Sequence, residues 1–317
     1  MKTVRIAGIA GNQPFEPSVM ALGNFDGVHK GHRQIVREAG ELARQKGVSL
    51  SVMTFDPHPR QVLGAGANYD RQLTPLPIKL QALAELGVEI CYVVQFDERF
   101  AAIPADRFVA DFLARMNATA IVVGFDYRFG AGGRADASVL RELAERFGKT
   151  VHVVQAVNLY GEKVSSSFIR EKLLLGEVKL AAELLGKPYA VVGEVVRGEG
   201  RGKLLGFPTA NVEPLYKFVL PRTGVYLIRA HLLDSQETRY GVMNIGFKPT
   251  FHDLEEGVTL EAHLFDFSGN LYHRQIRIEF LDFLRSEKKF NSARDLIAQI
   301  QADVQEAKRR LANSPTK

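Results

Sequence analysis

Two histidines three residues apart, His29 and His32, are the side chains of this sequence best placed to do chemistry. They end the segment GNFDGVHKGH at residues 23–32, which follows a short apolar run predicted to be a buried strand. Apolar residues then recur at helical spacing, so the pattern predicts that His32 opens an amphipathic helix. The N–H groups at a helix start attract phosphate, and two imidazoles on one turn can donate to its oxygens.

An isolated histidine pair of this spacing is as often a helix start with two solvated side chains as it is a binding site. The surrounding residues favour the binding site. Gly23, Gly27 and Gly31 leave the turn without Cβ atoms, so a ligand can approach the backbone closely. The whole segment therefore predicts a nucleotide site.

The first half of the chain has the pattern of a doubly wound parallel α/β sheet. Continuous apolar runs alternate with helical patterns, which is typical of parallel strands with helices on both faces. Ligands of such sheets bind beyond the carboxyl ends of the strands, where the polar segments 23–32, 55–58 and 124–130 fall. Strands are predicted at residues 19–22, 50–55, 90–96, 120–124 and 151–157, and helices at 78–86, 105–116 and 138–147.

Near residue 185 the pattern changes to short alternating strands with no helices between them. This pattern predicts a compact antiparallel β-barrel, followed by a helix at residues 292–311 whose apolar face packs against it. The predicted domains are therefore residues 1–185 and 186–317. The barrel strands are predicted at residues 189–196, 224–232, 240–245, 259–264 and 275–283.

The composition narrows the choice of partners. The net charge of +5 permits an acidic partner, but the chain has no run of five or six basic residues and no RNP-like aromatic motif. We therefore expect small phosphorylated ligands rather than nucleic acid. The N-terminus lacks the apolar core of a signal peptide, no apolar run is long enough to cross a membrane, and the only cysteine is Cys91. A cytoplasmic protein without a membrane partner is expected, whereas the oligomeric state is not indicated.

Three serines at residues 165–167, with Arg170 after them, follow the last predicted parallel strand. A helix N-cap explains one of the serines but not all three. An arginine in the first turns of a helix opposes the helix dipole unless it meets an anion. The group therefore favours a second contact to phosphate.

The segment GEGRGKLLGFPTAN at residues 198–211 combines four glycines with two basic side chains. It is not a Walker A loop, because Lys203 is followed by leucine. A flexible hairpin loop would explain the glycines but not Thr209 and Asn211, which point the same way from an extended segment. Side-chain oxygens of this kind suit Mg²⁺ beside phosphates.

The segment at residues 23–32 resembles the HxGH turn that the nucleotidyltransferase superfamily shares with class I aminoacyl-tRNA synthetases. More narrowly, it resembles the adenylyltransferase half of the bacterial bifunctional riboflavin kinase/FMN adenylyltransferase, or FAD synthetase, family. In addition, GFPTAN at residues 206–211 resembles the riboflavin kinase signature. Further segments follow in the family order at residues 54–59, 124–130, 165–170, 220–226, 244–251 and 260–267.

For the first domain the resemblance implies adenylyl transfer from ATP to FMN. His29 and His32 would stabilise charge on the transferring phosphate, and Arg170 and Mg²⁺ would do so on the leaving pyrophosphate. The ATP-binding residues would be Gly23, Phe25, Asp26, Gly27, His29, His32, Ser165, Ser166 and Arg170. The FMN-binding residues would be Phe55, His58, Pro59 and Asp126.

For the second domain the resemblance implies phosphorylation of riboflavin by ATP. A lone glutamate in an apolar strand more often faces solvent than acts as a base, but the family match makes Glu261 the base for the flavin 5′-hydroxyl. Thr209 and Asn211 would hold Mg²⁺. The ATP-binding residues would be Gly200, Gly202, Lys203, Gly206, Thr209 and Asn211.

Two other functions compete with this bifunctional enzyme. An adenylyltransferase with an unrelated second domain would leave residues 198–267 unexplained. A non-catalytic protein that binds RNA or flavin would tolerate the loss of the reactive side chains, yet they are present at His29, His32, Thr209 and Glu261. The sequence therefore favours an enzyme that makes FMN from riboflavin and FAD from FMN.

Overall fold

The computed structural model describes residues 1–8, 15–64, 69–198, 206–247, 257–290 and 292–313. Within it the chain divides into two compact units, Met1–Phe168 and Ile169–Lys317.

Residues 169–185 group with the second unit, although the sequence pattern places the domain boundary at 185. The contacts of this segment explain the difference. The Arg222 N–H donates to the Leu173 carbonyl at 2.9 Å, and Lys179 pairs with Asp282 at 2.7 Å. A helical pattern alone does not indicate against which core a helix packs.

A six-stranded parallel sheet forms the centre of the first unit. The strand order is β1-β4-β3-β2-β5-β6. After β2 the chain adds β3 and β4 on one side of β2 and then β5 and β6 on its other side, so the order reverses between β2 and β5. Doubly wound sheets bind their ligands at such a reversal. The strands are β1 (Lys2–Ile6), β2 (Ser18–Leu22), β3 (Ser49–Asp56), β4 (Ile90–Gln95), β5 (Ala118–Gly124) and β6 (Thr150–Val154).

Helices cover both faces of this sheet. Alternate residues of β2 show this, because Met20 and Leu22 join one buried cluster and Val19 and Ala21 join another. The α-helices are α1 (Lys30–Lys46), α2 (Pro59–Val62), α3 (Leu76–Glu85), α4 (Glu98–Ala101), α5 (Ala105–Arg107) and α6 (Ala137–Glu145). A π-helix at Phe108–Leu113, a 3₁₀ turn at Ala131–Gly133 and the hairpin β7 (Asn158–Leu159) and β8 (Glu162–Lys163) complete the unit.

The second unit is a closed antiparallel barrel with the order β10-β13-β12-β11-β14-β9. It is preceded by α7 (Ser166–Leu174) and α8 (Val178–Leu185) and followed by α9 (Ala293–Ala312). As predicted, the final helix packs on the barrel: Ala307 belongs to the same buried cluster as Val225, Val304 packs against that cluster, and Arg285 pairs with Asp303 at 2.7 Å. The strands are β9 (Tyr189–Val196), β10 (Ala210–Pro214), β11 (Gly224–Leu232), β12 (Glu237–Phe247), β13 (Val258–Leu264) and β14 (Gln275–Arg285).

The predicted fold class is confirmed, and the differences are local. The sequence pattern does not indicate β1, an edge strand whose residues are mostly exposed and which therefore lacks the continuous apolar run of its neighbours. The helix predicted at 105–116 is a short α-helix followed by a π-helix. The prediction that His32 opens α1 is wrong: the helix begins at Lys30, because His29 serves as its N-cap.

Candidate functional site

The turn between β2 and α1 brings the histidine pair to the carboxyl edge of the sheet. Phe25 (φ 51°) and Val28 (φ 42°) lie in the left-handed region, which is strained for residues other than glycine. Both side chains are fully buried, and this burial holds the turn in its strained conformation. The neighbouring Gly23 has no room for a side chain, since a Cβ there would lie 3.2 Å from the Phe25 ring.

The two imidazoles stack on each other, with ring centroids 3.6 Å apart and ring planes 16° from parallel. The Nδ1 atom of His29 accepts a hydrogen bond from the backbone N–H of His32 at 3.3 Å. A backbone N–H can only donate, so Nδ1 of His29 carries no proton, and the proton of the neutral ring is on Nε2. His29 therefore presents one N–H donor away from the helix.

Burial keeps both histidines neutral at pH 7. It lowers the pKa of His29 to about 4 and the pKa of His32 well below its usual value, and the positive side chains of Lys79 and Lys163 lower the pKa of His32 further. Nδ1 of His32 is buried and has no hydrogen-bond partner in the described part of the chain. A buried polar atom in that position is suited to a ligand.

The histidines lie on the wall of a cavity of about 450 Å³ at the reversal of strand order. Aromatic rings from the ends of β3 and β5 form part of the wall, and polar groups from the turn and from the start of α7 form another part. Such a mixture suits a ligand that has a flat apolar end and a charged end. The predicted residues on this wall are Gly23, Phe25, Asp26, His29, His32, Phe55, His58, Pro59, Asp126, Ser165 and Ser166.

The three serines before α7 have three different surroundings. The Ser165 hydroxyl accepts from the Phe168 N–H at 3.2 Å and so caps the helix, and the Ser166 hydroxyl donates to the Asp26 carbonyl at 2.8 Å. Ser167 lines the cavity. Arg170 is buried one turn later, in the second compact unit, and it is not among the cavity-lining residues. Its predicted contact with pyrophosphate remains a prediction.

Gly27 does not line the cavity either, but it contributes to the shape of the turn. Its φ of 92° requires glycine, and its N–H donates to the Thr74 hydroxyl at 2.6 Å. Asp26 is also held from this side, because its Oδ1 accepts from the Thr74 N–H at 3.0 Å. The segment before α3 therefore fixes the turn from outside the cavity.

Lys163 is a cavity-lining cation that the sequence analysis missed. It pairs with Asp126 and lies over the Phe125 ring, with Nζ 4.7 Å from the ring centroid. Lysine is common on protein surfaces, and Lys163 lies outside the segments that resemble the family, so its residue type alone does not indicate a binding role. Its position two residues before Ser165 could have indicated a binding role, because a cation is expected beside hydroxyls that are predicted to bind phosphate.

Two of the predicted kinase residues, Asn211 and Glu261, come together on the outer face of the barrel. The strand register pairs Asn211 with Glu261, and Glu261 with Asn244 on the other side. Directly paired residues point to the same face, so the three side chains form one row across β10, β13 and β12. Their sequence neighbours Ala210 and Ala262 are buried inside the barrel, so the row faces outward.

His263 lies next to this row, on the same face of β13, and was not predicted from the sequence. Its Nδ1 lies 2.9 Å from the Pro208 carbonyl, which can only accept, so Nδ1 carries the proton and donates. This bond holds the residue before Thr209 against β13, two positions from Glu261. Gly206 lies two residues before Pro208. It is exposed, and its φ of 83° favours glycine. The other predicted loop residues, Gly200, Gly202 and Lys203, lie outside the described residues.

The donor set on the barrel fits a magnesium ion with phosphates. A hydroxyl from Thr209, an amide oxygen from Asn211 and the neighbouring Glu261 carboxylate are hard oxygen donors. Gly198 packs against this group, because a Cβ built on it would overlap the Asn211 amide. Over the described ranges, no cluster of three or more His, Cys, Asp or Glu side chains is positioned to hold a metal ion by itself. The donor set therefore requires the substrate phosphates to complete it.

Replacing Gly198 by alanine should reduce riboflavin phosphorylation. The new methyl group must displace the Asn211 amide, and misplacing a binding group by about 1 Å can lower a rate about 10²-fold. The rate of FMN formation from riboflavin measures this effect. Adenylylation of added FMN is the control and should not change; equal loss of both activities would contradict the assignment of Asn211 to the kinase site.

Acid should weaken the first domain through the histidine pair. The unfolded chain takes up a proton on His29 near pH 6.5, whereas the folded chain does so only at about pH 4, so stability is lost as the pH falls through this window. The loss from His29 amounts to about 3 kcal/mol. His29→Asn keeps a capping side chain without the titration. Calorimetry from pH 7 to 4.5 should show a smaller fall in melting temperature for this variant than for the parent protein. The same fall in both proteins would contradict the assignment of the acid sensitivity to His29.

Comparisons with known proteins cover both units. A family model described as FAD synthetase matches residues 12–168, and one described as riboflavin kinase matches residues 185–311. The bifunctional riboflavin kinase/FMN adenylyltransferase of Bacillus subtilis is 41% identical over 298 residues, which cover 93% of each chain. The Escherichia coli K12 protein of the same name is 38% identical over 304 residues, 96% of each chain.

A crystal structure from Streptococcus pneumoniae, described as a macrolide-efflux protein, matches with a TM-score of 0.88 and 33% identity. It covers 98% of this chain and 99% of its own, so the likeness extends over both units. The description as a macrolide-efflux protein applies to that structure and is not carried over to this chain. None of the helices in the described ranges combines the length and the apolar character that a membrane crossing requires. The chain belongs to the family of bifunctional riboflavin kinases/FMN adenylyltransferases, with an FAD synthetase domain followed by a riboflavin kinase domain.

Proposed function

We propose that FMN is adenylylated in the cavity of the first unit and that riboflavin is phosphorylated on the outer face of the barrel. The observation that carries the first assignment is the stacked, neutral histidine pair at the start of α1, on the wall of a cavity of about 450 Å³. Helix N-termini favour phosphate, and the strand order reverses at the same place.

In adenylyl transfer an oxygen of the FMN phosphate attacks the α-phosphorus of ATP, and pyrophosphate leaves from the opposite side. Such reactions depend on positioning and on neutralising charge rather than on a protein nucleophile. The Nε2–H of His29 and the ring of His32 donate to the α-phosphate oxygens, whose charge grows in the transition state. The hydroxyl of Ser167 and the ammonium of Lys163 line the same cavity and support the phosphates.

The apolar wall of the cavity supports the flavin ring. Phe55 lies near the end of β3, Phe125 follows β5, and His58 and Pro59 lie at the start of α2. Rings of this kind stack on a flat heteroaromatic ligand. Asp126 and Lys163 pair with each other and line the same cavity, where they can hydrogen-bond to the phosphate or sugar end.

In the kinase site Glu261 acts as the general base. It removes the proton of the riboflavin 5′-hydroxyl as the oxygen attacks the γ-phosphate of ATP, and ADP leaves. Asn211 and Asn244 flank the carboxylate in the register and restrict its orientation. Bound Mg²⁺ would supply neutralisation of phosphate charge, and Thr209 and Asn211 would hold it.

The partners we propose are ATP, riboflavin and FMN, with neither nucleic acid nor membrane involved, in a cytoplasmic enzyme. Burial raises the pKa of the Cys91 thiol to about 12, so the only cysteine of the chain stays protonated and unreactive. We also propose that each activity belongs to a separate domain, with residues 1–185 adenylylating FMN and residues 186–317 phosphorylating riboflavin.

Incubation with riboflavin, ATP and MgCl₂, followed by chromatography of the flavins, tests the proposal. FMN should form first and FAD after it, with one pyrophosphate released for each FAD. Excess EDTA should stop both steps. Recovery of riboflavin unchanged in the presence of magnesium would overturn the proposal.

A further inference from the structure

Lys79, in the first turn of α3, is a buried cation that the reaction described above does not use. Its side chain is only 2% exposed. Burying an ammonium group is costly unless it is paired and hydrogen-bonded. Burial accordingly lowers the pKa of Lys79, while the negative charges of Asp26 and Asp56 oppose that fall. The cost of burying this ammonium group indicates that it has a specific role.

The contacts of Lys79 lead to the strained turn. Its Nζ donates to the Thr54 hydroxyl at 3.4 Å, and that hydroxyl donates its own proton to the Asn24 carbonyl at 3.0 Å. Thr54 is fully buried at the end of β3. A hydroxyl has one proton and two lone pairs, so a donor on its oxygen occupies a lone pair and favours the orientation in which the proton points to the carbonyl. Lys79 therefore orients the Thr54 hydroxyl towards the turn.

The turn is the structure that this relay has to hold. Asn24 precedes Phe25, whose φ is 51°, and the same turn leads to the His29 cap. The segment around α3 supports the turn at three of its residues: Asn24 through Lys79 and Thr54, and Asp26 and Gly27 through Thr74. Only the first of these supports carries a positive charge, placed beside the negative charge of Asp26.

We propose that Lys79 is a positioning residue for adenylyl transfer, which acts through Thr54 to hold the Asn24–Gly27 turn and thereby the two histidines. The inference rests on the adenylylation site proposed above. Lys79 does not line the cavity. A loss of its ammonium group should therefore lower kcat for FMN adenylylation and leave the KM for FMN nearly unchanged, because the flavin wall is not touched.

Lys79→Met is the main test, because methionine fills a similar volume without the charge. We expect kcat for FMN adenylylation to fall about tenfold or more, within the range that misplaced groups cost. The melting temperature should change little, because the desolvation cost of the ammonium group and its attraction to Asp26 are lost together. Loss of activity without loss of stability is a result that a merely structural lysine would not give.

A second buried lysine provides the matched control. Lys149 is 8% exposed and donates to the Met116 and Ala118 carbonyls at 2.7 and 2.9 Å, at the edge of the sheet opposite to the cavity. Lys149→Met should lower the melting temperature, since two buried carbonyls lose their donor. It should leave kcat per folded molecule unchanged.

Two variants of Thr54 test the relay even if Lys79→Met does not fold. Thr54→Val removes the hydroxyl and should lower adenylylation as much as Lys79→Met does, whereas Thr54→Ser keeps the hydroxyl and should keep most of the activity. The double variant Lys79→Met, Thr54→Val should be no slower than the slower single variant, as expected for groups that act as one unit.

Riboflavin phosphorylation, measured on the same preparations, should be unchanged in all of these variants. Lys79→Met with the adenylylation rate of the parent enzyme would overturn the inference. So would a rate that falls only in step with the melting temperature, as for a destabilised protein. If the parent enzyme makes no FAD at all, the proposed adenylylation site itself has failed, which is a separate result.

Discussion

His32→Ala should stop flavin conversion at FMN. The substitution removes a half-buried imidazole that stacks on His29 at 3.6 Å and lies on the cavity wall. Loss of one donor to a developing oxyanion costs about 10²–10³-fold in rate, so FAD formation from added FMN should fall by at least 10²-fold. FMN should then accumulate from riboflavin at the parent rate, because the kinase site lies on the barrel.

The measurement is chromatography of the flavins formed from riboflavin and, separately, from FMN. His152→Ala is a matched control, since His152 is an exposed histidine of β6 in the same sheet. It should leave both activities unchanged. An equal loss of kinase and adenylyltransferase activity in folded His32→Ala would mean that one site does both reactions and that the two-site assignment is wrong.

Glu261→Gln should have the opposite effect. Glutamine keeps the shape and hydrogen bonding of the side chain between Asn211 and Asn244 but cannot take a proton. General-base catalysis contributes about 10²–10⁴-fold, so riboflavin phosphorylation should fall by that factor. FMN supplied directly should still be converted to FAD at the parent rate.

Glu213→Gln is the control for this substitution. Glu213 is exposed on β10, two residues from Asn211, and so lies on the same outer face of the barrel. Its amide variant should phosphorylate riboflavin normally. If Glu261→Gln retained full kinase activity, Glu261 would not be the base, and the family match would have assigned the role to the wrong residue.

The strands and the location of the cavity in the first unit were predictable because local pattern determines them. Each of the parallel strands β2 to β6 overlaps a predicted apolar run, although the run predicted at 151–157 extends three residues beyond β6, and the polar segments at the strand ends carry cavity residues. The barrel strands β9 and β11 match their predicted bounds. The error at the start of α1 was also local: a histidine was read as a helical residue when its side chain caps the helix.

The missed residues depend on contacts that no local pattern records. Lys79 is separated by 25 positions from Thr54, its hydrogen-bond partner. His263 and Pro208 lie 55 positions apart, and Lys163 and Asp126 lie 37 positions apart. A lysine in an amphipathic helix is normally exposed, so the burial of Lys79 could not be expected from its spacing.

The closed barrel has a consequence for which insertions the kinase domain can accept. Moving β13 by one residue would turn Glu261 into the interior and bring Leu260 or Ala262 to the surface. In a closed barrel every strand has two neighbours, so such a shift must also break the pairing with β10 and β12. Length changes should therefore accumulate in the turns during divergence, whereas a single residue added within β13 would turn Glu261, the proposed base, away from its neighbours and disturb the pairing on both sides.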